Sequence, residues 1–201
     1  SVLLLIPISQ AEAAMNPNLS VSAENSKFDN HFSGSMVIEV VIRDSDINDT
    51  DEGKGEPDVT INGKSLRMIQ ATDGNWYAYF ANVDKAKIAD STVGLAGEGL
   101  DFGVFCSRDS TNLGISLSET DGVAIPRSGN MTGFTNGDVS FSTCSGTLTS
   151  STNLNNVVRK AKSINTSIPN DSPNELGGQI GVDNDAWPFI QLYSFDDVII
   201  K

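Results

Sequence analysis

Histidine is almost absent from this 201-residue sequence, His31 being the only one, and the cysteines are just Cys106 and Cys144. One histidine excludes a three-histidine zinc centre within the chain. A serine–histidine–aspartate arrangement could form only around His31, which lies between Asn30 and Phe32 and reads as a loop or strand-edge residue. No Cys-x-x-Cys pair, Gly-x-Ser-x-Gly elbow, phosphate loop or dinucleotide fingerprint occurs. Basic residues are scarce too, 13 against 26 acids, for a net charge of −13. A field of that sign repels nucleic acid and anionic lipid and attracts cations. Apolar runs are short: Val2–Ile8 falls well below the roughly 20 residues that a helix needs to cross a bilayer. Paired carboxylates for glycoside hydrolysis are available, but the acids crowd into turns.

What is present points to export. Val2–Ile8 followed by Ala11-Glu12-Ala13-Ala14 reads as the second half of a secretory signal peptide, with cleavage expected after Ala13. The expectation is a fragment that begins inside the signal (residues 1–13) and stops inside a strand at Asp197–Lys201. Residues 14–27 are polar and read as a leader arm or linker. In an exported chain two cysteines favour a Cys106–Cys144 disulfide over two buried thiols. Closing that loop contributes at most about 4 kcal/mol in the chain-entropy account. Five Asn-x-Ser/Thr triplets, at Asn18, Asn48, Asn130, Asn165 and Asn170, are candidate glycosylation sites on surface loops.

The pattern along the chain is strand after strand. Met36, Ile38, Val40 and Ile42 alternate with Glu39 and Arg43 on the other side. Asn62-Gly63 separates Val59–Ile61 from Ser65–Ala71, and Asp73-Gly74 separates the latter from Trp76–Phe80. Both dipeptides suit tight hairpins because their residues tolerate positive φ, so a three-strand meander is expected. Leu100–Cys106, Gly114–Leu117, Val139–Thr143, Phe189–Tyr193 and Asp197–Ile200 are further candidate strands. Leu154, Val157, Val158 and Ala161 stand at helical spacing, predicting one short helix. Frequent Gly, Asn and Asp turns between short strands favour an all-β sandwich over residues 28–201, with 84–185 as a less regular insertion. Trp76, Tyr77 and Tyr79 form either a sugar platform or, more commonly for aromatics alternating on a strand, core.

Chemistry is densest between the first two strands, where seven acids fall from Asp44 to Asp58. Clustered carboxylates repel one another, and a hard cation such as calcium relieves that repulsion with six to eight oxygen ligands. Asp44, Asp46 and Asn48 match the first three ligand positions of an EF-hand loop. Asp49 then stands where glycine is needed and Gly55 where the bidentate acid belongs, so the segment is no EF-hand. A sandwich-end calcium site drawn from Asp44, Asp46, Asn48, Asp49, Asp51, Asp58, Asp196 and Asp197 is one reading. A solvated acidic turn capping its own backbone is the other. A glycan on Asn48 conflicts with the first.

Val40–Thr50, Gly55–Lys64 and Asp73–Phe80, with Leu100–Cys106 and Trp187–Tyr193, resemble the N-terminal part of the large surface-layer proteins of ammonia-oxidising, Nitrosopumilus-like archaea (Thaumarchaeota). The Ala-Glu-Ala leader is similar as well. The likeness is scattered over most of the chain and thin from Ser107 to Ala186. It implies immunoglobulin-like domains that self-assemble into a cell-surface lattice, an acidic glycosylated surface, and bound cations. The expected function is therefore structural rather than enzymatic. An adhesin or ligand-binding sandwich is the first alternative, and an accessory β-domain of a secreted hydrolase the second.

Overall fold

In a computed structural model, the described residues are 16–23, 32–93, 95–96, 98–110, 113, 115–126, 137–144, 157–158, 161–165, 186–196, 198 and 200. They form nine strands and one helix: β1 Leu19–Ala23, β2 Ile38–Ile42, β3 Val59–Ile61, β4 Lys64–Leu66, β5 Ile69–Gln70, β6 Trp76–Asn82, α1 Val83–Ser91, β7 Val104–Cys106, β8 Gly122–Ile125 and β9 Ile190–Tyr193. The signal-like run, His31, Asp197, Asn130, Asn170 and most of the 154–161 stretch lie outside the described residues.

Seven strands form one mixed sheet in the order β1-β2-β6-β9-β8-β7, with β5 also on β6, and β3 and β4 form a separate hairpin. The pairings are antiparallel except β6–β9, which runs parallel with Tyr79 opposite Ile190. Both faces of the sheet are covered, and the alternation of β6 shows how. Tyr77, Tyr79 and Ala81 enter one core with Val37, Val41, Ile190 and Leu192, beneath Val83 and Ala86 of α1. Trp76, Ala78 and Phe80 enter the other with Ile38, Val40 and Ile42, under Val59, Ile61, Leu66 and Met68 of the hairpin layer. Period-2 patterning here encodes two apolar faces rather than one wet and one dry.

Both predicted turns are present. Asn62 (φ 50°) and Gly63 (φ 80°) occupy the left-handed region between β3 and β4, as a two-residue hairpin requires. Asp73-Gly74 joins β5 to β6, with Gly74 at φ 84°. The three segments are not one meander, however, because the chain changes layers at Arg67-Met68. Side chains sew the layers together there. The Gln191 amide on β9 donates to Arg67 O (2.8 Å) and accepts from Arg67 N (2.9 Å), imitating a strand neighbour. The Tyr193 hydroxyl donates to Ser65 O (2.8 Å), and the Glu119 carboxylate accepts from Ser65 N.

Two expectations change and one element is new. Leu19–Ala23, read as part of a leader arm, is a strand antiparallel to β2, because Leu19 and Val21 alternate with serines and pack against the hairpin-side core. Residues 84–185 are not simply an insertion, since β7 and β8 complete the sheet and Cys106–Cys144 closes with a Cα–Cα distance of 5.4 Å. A helix that the sequence reading did not predict stands at Val83–Ser91, while the 154–161 expectation falls mostly outside the described residues, with Val157 and Val158 buried. Asn82 caps α1, its Oδ1 accepting from the Asp84 and Lys85 amides (3.1 Å each). Ser142 lies beside β7 as an isolated bridge to Cys106, and Ile200 bridges Ile61.

Candidate functional site

The acid-rich turn follows β2 and sits at the end of the sheet where Ile42 pairs with Trp76. Its first carboxylate is used internally. Asp44 Oδ1 accepts from Asp46 N (3.0 Å) in an Asx turn, and Oδ2 accepts from Asn18 Nδ2 (2.8 Å), tying the turn to the start of β1. The rest is fastened through main-chain carbonyls. Ile47 O accepts from Trp76 Nε1 (2.9 Å) and Gln70 Nε2 (3.3 Å), and Asp49 O accepts from Gln70 Nε2 (3.0 Å). Asn165 Nδ2 donates to Thr50 O (3.4 Å). The β5–β6 turn closes on the same backbone: a Cβ on Gly74 would stand 2.4 Å from Asn48 O. With its carbonyls turned inward, the turn leaves Asp46, Asn48, Asp51 and Glu52 exposed.

Two of those acids interact. A side-chain hydrogen bond between Asp49 and Asp51 holds Asp49 below the ordinary carboxylate range and raises Asp51. Lys54 reaches Glu52 (2.5 Å), and that hydrogen bond raises the lysine. Beside the turn, burial opposes the charge of Asp73. The Tyr77 hydroxyl (2.8 Å), the Asn75 amide and the Lys162 ammonium (3.6 Å) outweigh it, and the carboxyl lies below its usual range.

The structure disperses the rest of the proposed ligand set. Asp196 follows β9, whose last residue pairs with Asn82, and Asn82 Nδ2 donates to Phe195 O (2.6 Å). Asp196 is therefore at the far end of the seven-residue β6, about 20 Å from the Asp44 turn at roughly 3.3 Å per residue. Asp58 immediately precedes β3 and lines a different groove. Asp197 lies outside the described residues. Among the described residues no group of three or more His, Cys, Asp or Glu side chains is placed to hold a metal ion. Asp196 and the Asp44 turn thus do not share one ion within this chain. Of the sequons, Asn48 is exposed, Asn18 is half-buried, and Asn165 is only 2 % exposed with its amide on Thr50 O, leaving no room for a glycan. The sugar-platform reading also ends here, because Trp76, Tyr77 and Tyr79 are buried core.

A second concavity went unread in the sequence. A groove of about 530 Å³ runs between the β3–β4 layer and residues 116–120, edged by Glu56, Asp58, Ser65, Arg67 and Glu119. Arg67 is held in it by Glu56 (Nη2–Oε2 3.0 Å) and by Ser116 O (2.8 Å), and Glu56 Oε1 also accepts from Met68 N (2.6 Å). Its partners are far apart in sequence and carry no shared motif, so no linear pattern announces it.

No known protein family and no curated protein matches this sequence.

Proposed function

We propose that this protein is a structural, non-catalytic component of a cell envelope that self-assembles into a surface layer, its acidic face binding or concentrating cations such as calcium. The observation that carries the reading is the clamped acidic turn. Gln70, Trp76 and Asn165 grip its backbone, so Asp46, Asp51 and Glu52 are presented to solvent as a fixed array. Such an array is placed to share cations at contacts between copies, since calcium takes six to eight oxygens and among the described residues no three acids converge on one point. Two further features fit a tile. Among the described residues nothing pairs with the outer edge of β1, which carries no charge or proline in Leu19–Ala23, whereas the outer edge of β7 is covered by Ser142. The Cys106–Cys144 bridge suits an oxidising exterior. We read the hairpin layer over the large sheet as an unequal form of the immunoglobulin-like sandwich. The Asn18 sequon remains a candidate glycan site in this reading, whereas a glycan on Asn48 would crowd the acids beside it.

The test is calcium titration by calorimetry on the whole chain beside an Asp46→Asn/Asp49→Asn/Asp51→Asn variant. Binding in the parent that the variant loses supports the reading, and equal heats in both refute it. The Glu56–Glu119 groove favours one second reading, a secreted adhesin that takes a small polar ligand there. A glycan array that labels the protein, and does so no longer after Arg67→Ala, would favour it.

A further inference from the structure

We propose that Asp90 is a protonation switch that fastens the last turn of α1 to the segment leading into β7 when its carboxyl is neutral and loosens that junction when it is ionised. Asp90 is fully buried near the C-terminal end of α1. Its Oδ1 accepts from Phe102 N (2.7 Å), while its Oδ2 makes no hydrogen bond of good geometry, the Gly103 and Gly137 amides lying near the carboxyl. Asp101, only 5 % exposed, stands in the same junction, with its Oδ1 on Gly103 N (2.8 Å). The helix C-terminus adds a negative dipole end. A charge on Asp90 is thus opposed by lost solvation, by a like-charged neighbour and by the helix itself, whereas a neutral carboxyl keeps the Phe102 bond at little cost.

The surrounding charges offer no relief. Lys87, one turn earlier on α1, has its ammonium 4.5 Å from the Phe141 ring centroid. Asp138, beside the Gly137 that packs on the Asp90 carbonyl, directs its carboxylate to Ser140 N (3.0 Å). Burial pushes the Asp90 carboxyl up to about 6; the Phe102 N–H and, more weakly, the Gly137 and Gly103 amides oppose that rise, and the charge of Asp101 adds to it. The folded state therefore binds this proton more tightly than the unfolded chain does. The stabilisation is complete below the ordinary carboxylate value and disappears as pH rises through about 6.

The experiment is amide hydrogen exchange of residues 83–91 and 101–106 in the whole chain at pH 5.0 and 7.5, corrected for intrinsic chemical rates, with Asp90→Asn alongside. The parent should open about tenfold more at pH 7.5 than at pH 5.0, as its proton is lost only in the open state at the lower pH. Asp90→Asn, isosteric and uncharged, should show no such change, and Asp101→Asn should reduce it. Equal pH responses in parent and Asp90→Asn overturn the proposal. So does a parent whose exchange is flat between the two pH values, a result that needs no variant to fold. Millimolar calcium that restores protection at pH 7.5 in the parent but not in Asp90→Asn would also overturn it, assigning the carboxyl to a cation instead.

Discussion

Gln70→Glu tests the clamp with almost no change of shape. Gln70 is 1 % exposed, and its Nε2 donates toward Ile47 O, Asp49 O and Gly74 O at 3.3, 3.0 and 3.2 Å. An amide has two hydrogens, so at least one is shared among these acceptors. Glutamate replaces that donor with an oxygen facing three carbonyls. Each buried polar group left unmatched costs about 1–3 kcal/mol, so a loss of roughly 3 kcal/mol at pH 7 is expected. For a domain of this size that lowers Tm by about 6–12 °C. The introduced carboxyl is destabilised when charged, so its folded pKa lies above the unfolded one. The stability penalty should therefore shrink as pH falls toward 4.5, where a neutral acid regains one O–H donor. Calorimetry at pH 7 and 4.5, with limited proteolysis of residues 44–58, reads both effects. A Tm within 1 °C of the parent at both pH values, with the turn still resistant to protease, would refute the clamp.

Other consequences are simpler. Reducing Cys106–Cys144, which are 38 residues apart, should cost up to about 4 kcal/mol in urea unfolding, and an unchanged midpoint would speak against the bridge. Gly103→Ala should lower stability by several kcal/mol, roughly 3 or more. Gly103 sits at φ 83° and an added Cβ would meet Ile125 O at 1.9 Å, so a variant as stable as the parent by calorimetry contradicts that packing. Peptide mapping of protein from a glycosylating host should find no glycan on Asn165 in folded material, and occupancy there would mean that this region packs differently.

Local signals were read well where local physics decides. The Asn62-Gly63 and Asp73-Gly74 turns need positive φ, a property visible in two letters, and β6 and β9 announce themselves through dense aromatic and branched residues. The cysteine pairing followed from there being two cysteines in a chain expected to be exported. By contrast, β1 has its alternation in Leu19, Val21 and Ala23, but the serines between them look like a polar arm until β2 supplies the partner. Helix α1 buries only Val83, Ala86 and Asp90, too faint an apolar face to register, although the Asn82 cap and Asp84 in the first turn were legible start signals. The site suffered most from distance. Acids grouped by composition, Asp44 and Asp196, fall at opposite ends of β6, while Gln191 and Arg67, 124 residues apart, meet through two hydrogen bonds that no spacing rule contains.

The measurement that tests the central claim most directly is negative-stain electron microscopy of the purified chain with and without millimolar calcium, beside the Asp46→Asn/Asp49→Asn/Asp51→Asn variant. The account predicts ordered two-dimensional arrays in calcium that chelator disperses and the variant does not form. Monodisperse single particles in calcium, or arrays that the variant forms equally well, would contradict it.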